Sequence, residues 1–210
     1  MSYSSLYGIK KNYTGEKLYE YKNSCLFAPI VMKVLPDKYI SHEIATPYGF
    51  KKSIFGLGGN KIWEKTNRKI NDCDNTPDRI CWELSNQQIF FTKDKQCIAY
   101  SIQKFVEQNK KYCKSDEDNL FLLEREHIIE RFTEIADDIL GIDKNKYPYF
   151  VIKNTSTDDS VENWFEYFDE DKDEYVDKSL KDCNEFLAEF VIIENNKISK
   201  FVSNLEYQYK

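Results

Sequence analysis

Only two histidines, His42 and His127, stand among 210 residues, so the side chain best suited to proton transfer near neutral pH is nearly missing. Six cysteines fall at positions 25, 73, 81, 97, 113 and 183, with no C-x-x-C pair and no cysteine within four residues of either histidine. A structural zinc site takes close pairs of that kind. The spacing instead predicts inert thiols buried as small hydrophobes and kept reduced in a cytosol. Neither G-x-S-x-G nor H-E-x-x-H occurs, so the local signatures of serine hydrolases and zinc peptidases are both missing. Carboxylates assembled in space leave no such signature and remain open as a site.

Three carboxylate patterns invite chemistry. Asp169, Asp171, Asp173 and Asp177 occupy positions 1, 3, 5 and 9 of a twelve-residue frame, with Val176 at the apolar position 8. This half resembles an EF-hand calcium loop, but Glu174 replaces the turn glycine and Leu180 the bidentate Glu. A solvated acidic surface is the expected outcome. Glu124-x-x-His127 has the spacing of the di-iron carboxylate bundles, yet the second Glu-x-x-His is missing. Pro77-Asp78 followed by Glu83 resembles the acidic pair of restriction-type nucleases, with Ser85 standing where those enzymes place a Lys. Turn capping by Asp78 and an exposed strand position for Glu83 are expected instead. No metal or cofactor is anticipated.

Gly56-Leu57-Gly58-Gly59-Asn60-Lys61 offers backbone N–H groups at a helix start, the geometry that holds phosphate. Gly56, Gly58, Gly59 and Lys61 are thus the candidate nucleotide contacts, although the spacing fits neither a P-loop nor a dinucleotide fingerprint. Across the basic half, cations alternate with rings: Lys10, Lys11, Tyr13, Lys17, Tyr19, Tyr21 and Lys22, then Lys61, Trp63, Lys65, Arg68 and Lys69. Such interleaving suits single-stranded nucleic acid. Against it, Arg is scarce, with 4 against 26 Lys, and Arg supplies the bidentate contacts.

The strongest pattern is acidic. Residues 1–114 carry 19 Lys and Arg against 11 Asp and Glu, a net of +8, while residues 115–210 carry 11 against 25, a net of −14. Glu126, Glu130 and Glu134 stand four apart, a helical ridge of one sign that costs an isolated helix a few tenths of a kcal/mol per pair. Asp158 to Glu185 adds 12 acids against 3 bases, interleaved with Trp164, Phe165, Tyr167, Phe168 and Tyr175. Acid mixed with rings suits the grip on a basic protein. The expected contacts are Glu126, Glu130, Glu134, Asp158, Asp159, Trp164, Asp169, Asp171 and Asp173. The alternative is that the two halves neutralise each other.

The elements that must position these groups follow from periodicity. Leu18–Tyr21 reads as a strand, and the apolar run Leu26–Leu35 as another strand-like piece broken by Pro29. Asn60 caps a helix over 61–71 with Ile62, Thr66 and Ile70 on one face. Segments 80–84 and 88–92 read as paired strands around Ser85-Asn86-Gln87. A helix is predicted over 95–112, then a central one over 116–140, opened by Ser115 and Asp118 and carrying Phe121, Ile128, Phe132, Ile135 and Ile139 inward. A strand at 147–152, a short helix at 161–168 and a hairpin of 186–193 with 197–209 around Asn195-Asn196 complete the chain. Without a βαβ rhythm, this predicts one α+β domain covering 1–210.

No apolar run reaches the roughly 20 residues that cross a bilayer, and residues 1–11 lack the apolar core of an export signal. A cytoplasmic protein is expected. The Lys, Ile and Asn bias suits a low-G+C bacterium or its phage. The function these features favour is non-catalytic: an inhibitor of a nuclease or other nucleic-acid-handling protein, either a toxin immunity protein or a phage-borne anti-defence inhibitor of the anti-CRISPR type. An enzyme or nucleotide binder using the basic half is the alternative.

Overall fold

A computed structural model describes residues 3–22, 27–44, 59–110, 126–155 and 162–207. Six strands form the main mixed sheet in the order β2-β1-β4-β3-β7-β8: β1 (Tyr3–Ile9), β2 (Gly15–Lys22), β3 (Ile89–Phe91), β4 (Tyr149–Thr155), β7 (Glu189–Glu194) and β8 (Lys197–Ser203). Every pairing is antiparallel except β3 with β7. The remaining strands, β5 (Glu166–Asp169) and β6 (Glu174–Asp177), make a separate two-stranded hairpin. The helices are α1 (Phe27–Ile44), α2 (Gly59–Asn71), α3 (Thr76–Ser85), α4 (Lys95–Asn109), α5 (Glu126–Gly141), α6 (Glu162–Phe165) and α7 (Asn204–Tyr207). The fold class is α+β, as the sequence predicts.

Strand alternation divides the core in two. Leu6, Phe150, Ile152 and Val191 face α1, α3, α4 and α5 in the larger core. Tyr7, Ile9, Val151 and Phe190 face the opposite way, toward Trp164, Phe165 and Leu180. Two helices are held together by reciprocal indole bonds: Trp63 Nε1 donates to Asn86 Oδ1 and Trp82 Nε1 to Asn67 Oδ1, both at 2.9 Å. The β7–β8 turn is Asn195-Asn196 with both φ positive, at 52° and 59°, a conformation Asn tolerates and tight hairpins require.

The amphipathic helices stand where periodicity puts them. Ile62, Thr66 and Ile70 are buried on α2, and Ile98, Ile102, Phe105 and Val106 on α4. On α5 the inward residues are Ile128, Phe132, Ile135, Ala136 and Ile139. The expected start of that helix, with Ser115, Asp118, Phe121 and Glu124, lies outside the described residues.

Several expectations fail. The short helix expected at 161–168 ends at Phe165, where β5 takes over. Asn60 lies inside α2, which starts at Gly59, and does not cap it. Residues 80–84 are not a strand paired with 88–92 but part of α3, whose buried residues run Asp78, then Ile80 through Ser85. A helix buried all round has no polar face and loses its 3.6-residue signal. Its start is nonetheless written locally: Asn75 Oδ1 accepts the Asp78 N–H at 3.2 Å, and Pro77 sits in the first turn. The run from Leu26 is helical from Phe27 onward for the same reason, with Phe27, Ala28, Ile30, Val31, Val34 and Leu35 buried and a break only at Ile40 (φ −135°). The last strand stops at Ser203, where α7 begins.

A candidate protein-binding hairpin

The acid-rich segment rises from an anchor. On α6, Trp164 and Phe165 are buried against the sheet's second face, with the Phe165 ring stacked on Tyr7 at 5.2 Å. Lys153 of β4 lies 4.0 Å over the Trp164 ring. Gly15 makes room for this docking, since a Cβ there would stand 2.4 Å from the Phe165 ring. On the return strand, Lys178 N–H donates to Phe165 O at 2.6 Å, Ser179 Oγ to Asn12 O at 2.8 Å and Leu180 N–H to Tyr13 O at 3.0 Å. Both legs are therefore clamped to the β1–β2 hairpin.

Beyond the clamp nothing is buried. Glu166 pairs with Asp177, Tyr167 with Val176, Phe168 with Tyr175 and Asp169 with Glu174. Tyr167, Phe168 and Tyr175 are 47%, 47% and 58% exposed. The Phe168 and Tyr175 rings meet edge to face at 5.3 Å. At the tip, Asp169 Oδ1 accepts from the N–H of Asp171 at 3.1 Å and of Lys172 at 3.3 Å, and Asp173 takes φ 53°. Residues 166–177 carry seven acids and one base, Lys172, which pairs with Asp169 at 3.1 Å. A two-stranded hairpin is marginal in water by itself, so the anchor must hold it.

This geometry removes the calcium-loop reading. Asp169 ends β5 at the tip and Asp177 ends β6 at the base, three pairs apart or about 10 Å at strand rise. Calcium ligands must converge to about 2.5 Å from one ion. Among the described residues no group of His, Cys, Asp or Glu is placed to hold a metal.

Of the expected contacts, Asp171 and Asp173 are exposed at the hairpin tip, and Asp169 is partly buried by its turn bonds. Trp164 is not a surface ring; at 7% exposure it belongs to the anchor. Asp158 and Asp159 lie outside the described residues. Glu126, Glu130 and Glu134 are exposed on α5, but Glu134 is neutralised within its own helix by Arg131 at 2.5 Å. Arg131 in turn lies 5.4 Å from the Tyr21 ring, whose hydroxyl donates to Asp138 at 2.9 Å. Burial and the Asp138 charge push the Tyr21 phenol up.

The nucleotide alternative gains little. Gly56 and Gly58 lie outside the described residues, Gly59 is buried as the first residue of α2, and Lys61 is exposed beside it. Several rings of the basic half turn inward: Tyr21 is buried, Trp63 bonds Asn86, and Tyr13 packs on Tyr149 at 5.7 Å. Of those interleaved rings, Tyr19 is the exposed one at 40%. Glu16 of the basic half is held from both halves, with hydrogen bonds from Tyr147, Lys10 and Lys146 drawing it down to about 2.

The acidic pair Asp78 and Glu83 separates. Five residues apart on a helix, they point about 140° from each other around the axis. Asp78, fully buried, is a hub that local sequence could not reveal. Its Oδ2 accepts from Lys38 Nζ at 2.5 Å and Tyr39 Oη at 2.6 Å, and its Oδ1 accepts from Asn109 Nδ2 at 2.8 Å. Burial and the Asp78 hydrogen bond push the Tyr39 phenol up. Glu83 is not an exposed strand residue: burial, reinforced by Glu189, raises its carboxyl to about 8. Cys73, Cys81, Cys97 and Cys183 are thiols, and burial pushes Cys81 well up. Cys25, Cys113 and the side chain of His42 lie outside the described residues.

Comparison of the chain with protein-family models, curated proteins and solved structures gives no match.

Proposed function

We propose that this protein is a non-catalytic inhibitor that binds a basic protein, most concretely a nuclease or another nucleic-acid-handling enzyme, in the manner of an immunity protein or a phage-borne anti-defence factor. The observation that supports this reading is the β5–β6 hairpin: three exposed rings and seven acids held out from the body on a buried Trp164-Phe165 anchor. Exposed apolar area concentrated in one element marks an interaction site. Its charge selects a cationic partner and speeds the encounter. A partner whose cleft binds phosphates carries the complementary field. No helix among the described residues is long and apolar enough to cross a membrane, which fits a protein that meets its target in the cytosol.

The test uses two baits, the wild-type chain and Glu166→Lys/Glu170→Lys/Glu174→Lys, against a lysate of the source cell. The reading expects a nucleic-acid-processing enzyme retained by the first bait and lost by the second, with its nucleic-acid cleavage suppressed by stoichiometric wild-type protein. Capture that ignores the charge reversal, or a nucleotide retained in place of a protein, overturns it.

A further inference from the structure

The hairpin has two long edges as well as two faces. Among the described residues, β5 and β6 pair with each other and with no third strand, so each keeps an outward row of backbone donors and acceptors. Such a row is a template for another strand, and proteins commonly blunt it with charge. Here the charge has one sign. A second copy laid along the edge would set carboxylate against carboxylate, and nucleic acid would meet the same repulsion. A cationic segment would meet attraction.

The register sharpens this. One face of the hairpin carries Phe168 and Tyr175 with Glu166 and Asp177, and the other carries Tyr167 with Asp169 and Glu174. An added strand points successive side chains to alternate faces. Each face offers it both a carboxylate and a ring, so Arg at either parity finds an ion pair and an aromatic surface to lie on. We infer that the hairpin recognises an extended, arginine-rich segment of its protein partner by strand addition. This rests on the reading of the hairpin as the contact surface and names the element of the partner that it grips.

The probe is a labelled peptide of alternating Arg and Thr, titrated into the full chain beside the same peptide N-methylated at its three central residues. Methylation removes the backbone donors and keeps every charge. Strand addition expects binding of the first peptide, slowed amide exchange within 166–169 or 174–177, and binding of the methylated peptide weaker by about tenfold or more. Equal affinity for the two peptides, protection confined to other elements, or no binding at about 1 mM peptide overturns it. The two readings fail separately. If Glu166→Lys/Glu170→Lys/Glu174→Lys abolishes enzyme capture while both peptides bind the wild type equally, the hairpin remains the contact surface and strand addition falls. If the reversal leaves enzyme capture intact, the contact surface itself lies elsewhere.

Discussion

Helix α5 and the β5–β6 hairpin are both acidic, and they carry their acids for different reasons. On α5 the glutamates are the solvent side of an amphipathic helix whose other side buries Ile128, Phe132, Ile135 and Ile139. That buried face gives the helix its own reason to form and pack, and Arg131 already neutralises Glu134. The hairpin has no inner side. Glu166, Tyr167 and Phe168 are all exposed, as are Glu174 and Tyr175, so neither face repays the ordering of its backbone. One acidic surface follows from folding; the other is held out at a cost to it. Charge density alone does not separate the two cases, but the presence or absence of a buried face does.

The largest effect should come from a charge that serves the fold outright. Asp78→Ala removes the carboxylate to which Lys38, Tyr39 and Asn109 donate, and breaking a buried pair of this kind costs about 3–5 kcal/mol. Urea denaturation should show a midpoint lowered accordingly. A variant as stable as wild type would mean that the network relaxes to water. Since Asp78 holds the fold, loss of biological effect in this variant carries no information about catalysis unless the remaining folded protein is tested.

Next is the anchor. Phe165→Ala empties a fully buried site stacked on Tyr7 and should cost about 3–5 kcal/mol if the hairpin and the body unfold together. If the anchor only holds the hairpin, the global midpoint moves little and amide exchange accelerates within 166–177 alone. Either result identifies the link between fold and surface. Unchanged stability with unchanged exchange would show that the lower legs, through Ser179 and Leu180, suffice.

Glu83 gives a pH signature confined to the body. Its folded carboxyl stands at about 8 against 4.5 for the ordinary group, so between those values the folded state holds a proton that the unfolded state has lost. Stability should therefore fall as pH rises from about 4.5 to about 8, with no contribution to the slope below or above that window. Glu83→Gln should flatten the fall, measured as the urea midpoint across that range. An undiminished slope would assign it to other groups, the half-buried Glu189 first, whose carboxyl burial also raises.

How far the sequence reveals these regions depends on whether a segment has two unlike sides. α2, α4 and the described part of α5 alternate buried and exposed residues every turn, and the spacing of their apolar residues alone marks their inner faces. α3 and the first turns of α1 are buried on most sides, so Ile80 to Leu84 shows no helical period and reads equally well as a strand. The hairpin fails oppositely. Its strands are exposed on both faces, so acids and rings show no alternation and 169–180 resembles a metal loop instead. The Asp78 hub unites α1, α3 and α4 across some 70 residues of chain, from Lys38 to Asn109, and no local spacing encodes it. Acid mixed with exposed rings is legible as composition; which ring faces out is not, and Trp164 is the case where composition misleads.

The smallest effect distinguishes the two acidic regions most directly. Glu126→Lys/Glu130→Lys/Glu134→Lys reverses the α5 ridge while leaving its buried face untouched. The lost Arg131 pair is surface-exposed on the Glu134 side and is worth about 0–1 kcal/mol, so the urea midpoint should move only slightly. If the hairpin is the contact and the ridge is merely solvated, partner affinity should change far less than in the hairpin reversal. Any slowing of association should then vanish as salt shortens the Debye length to about 10 Å at 0.1 M. A loss of affinity as large as the hairpin variant's, persisting at high salt, would place α5 within the interface and enlarge the binding surface beyond the hairpin. Unfolding would give a third answer: the ridge's charges would then be neutralised within the molecule by more than Arg131, and α5 would hold its acids for the fold after all.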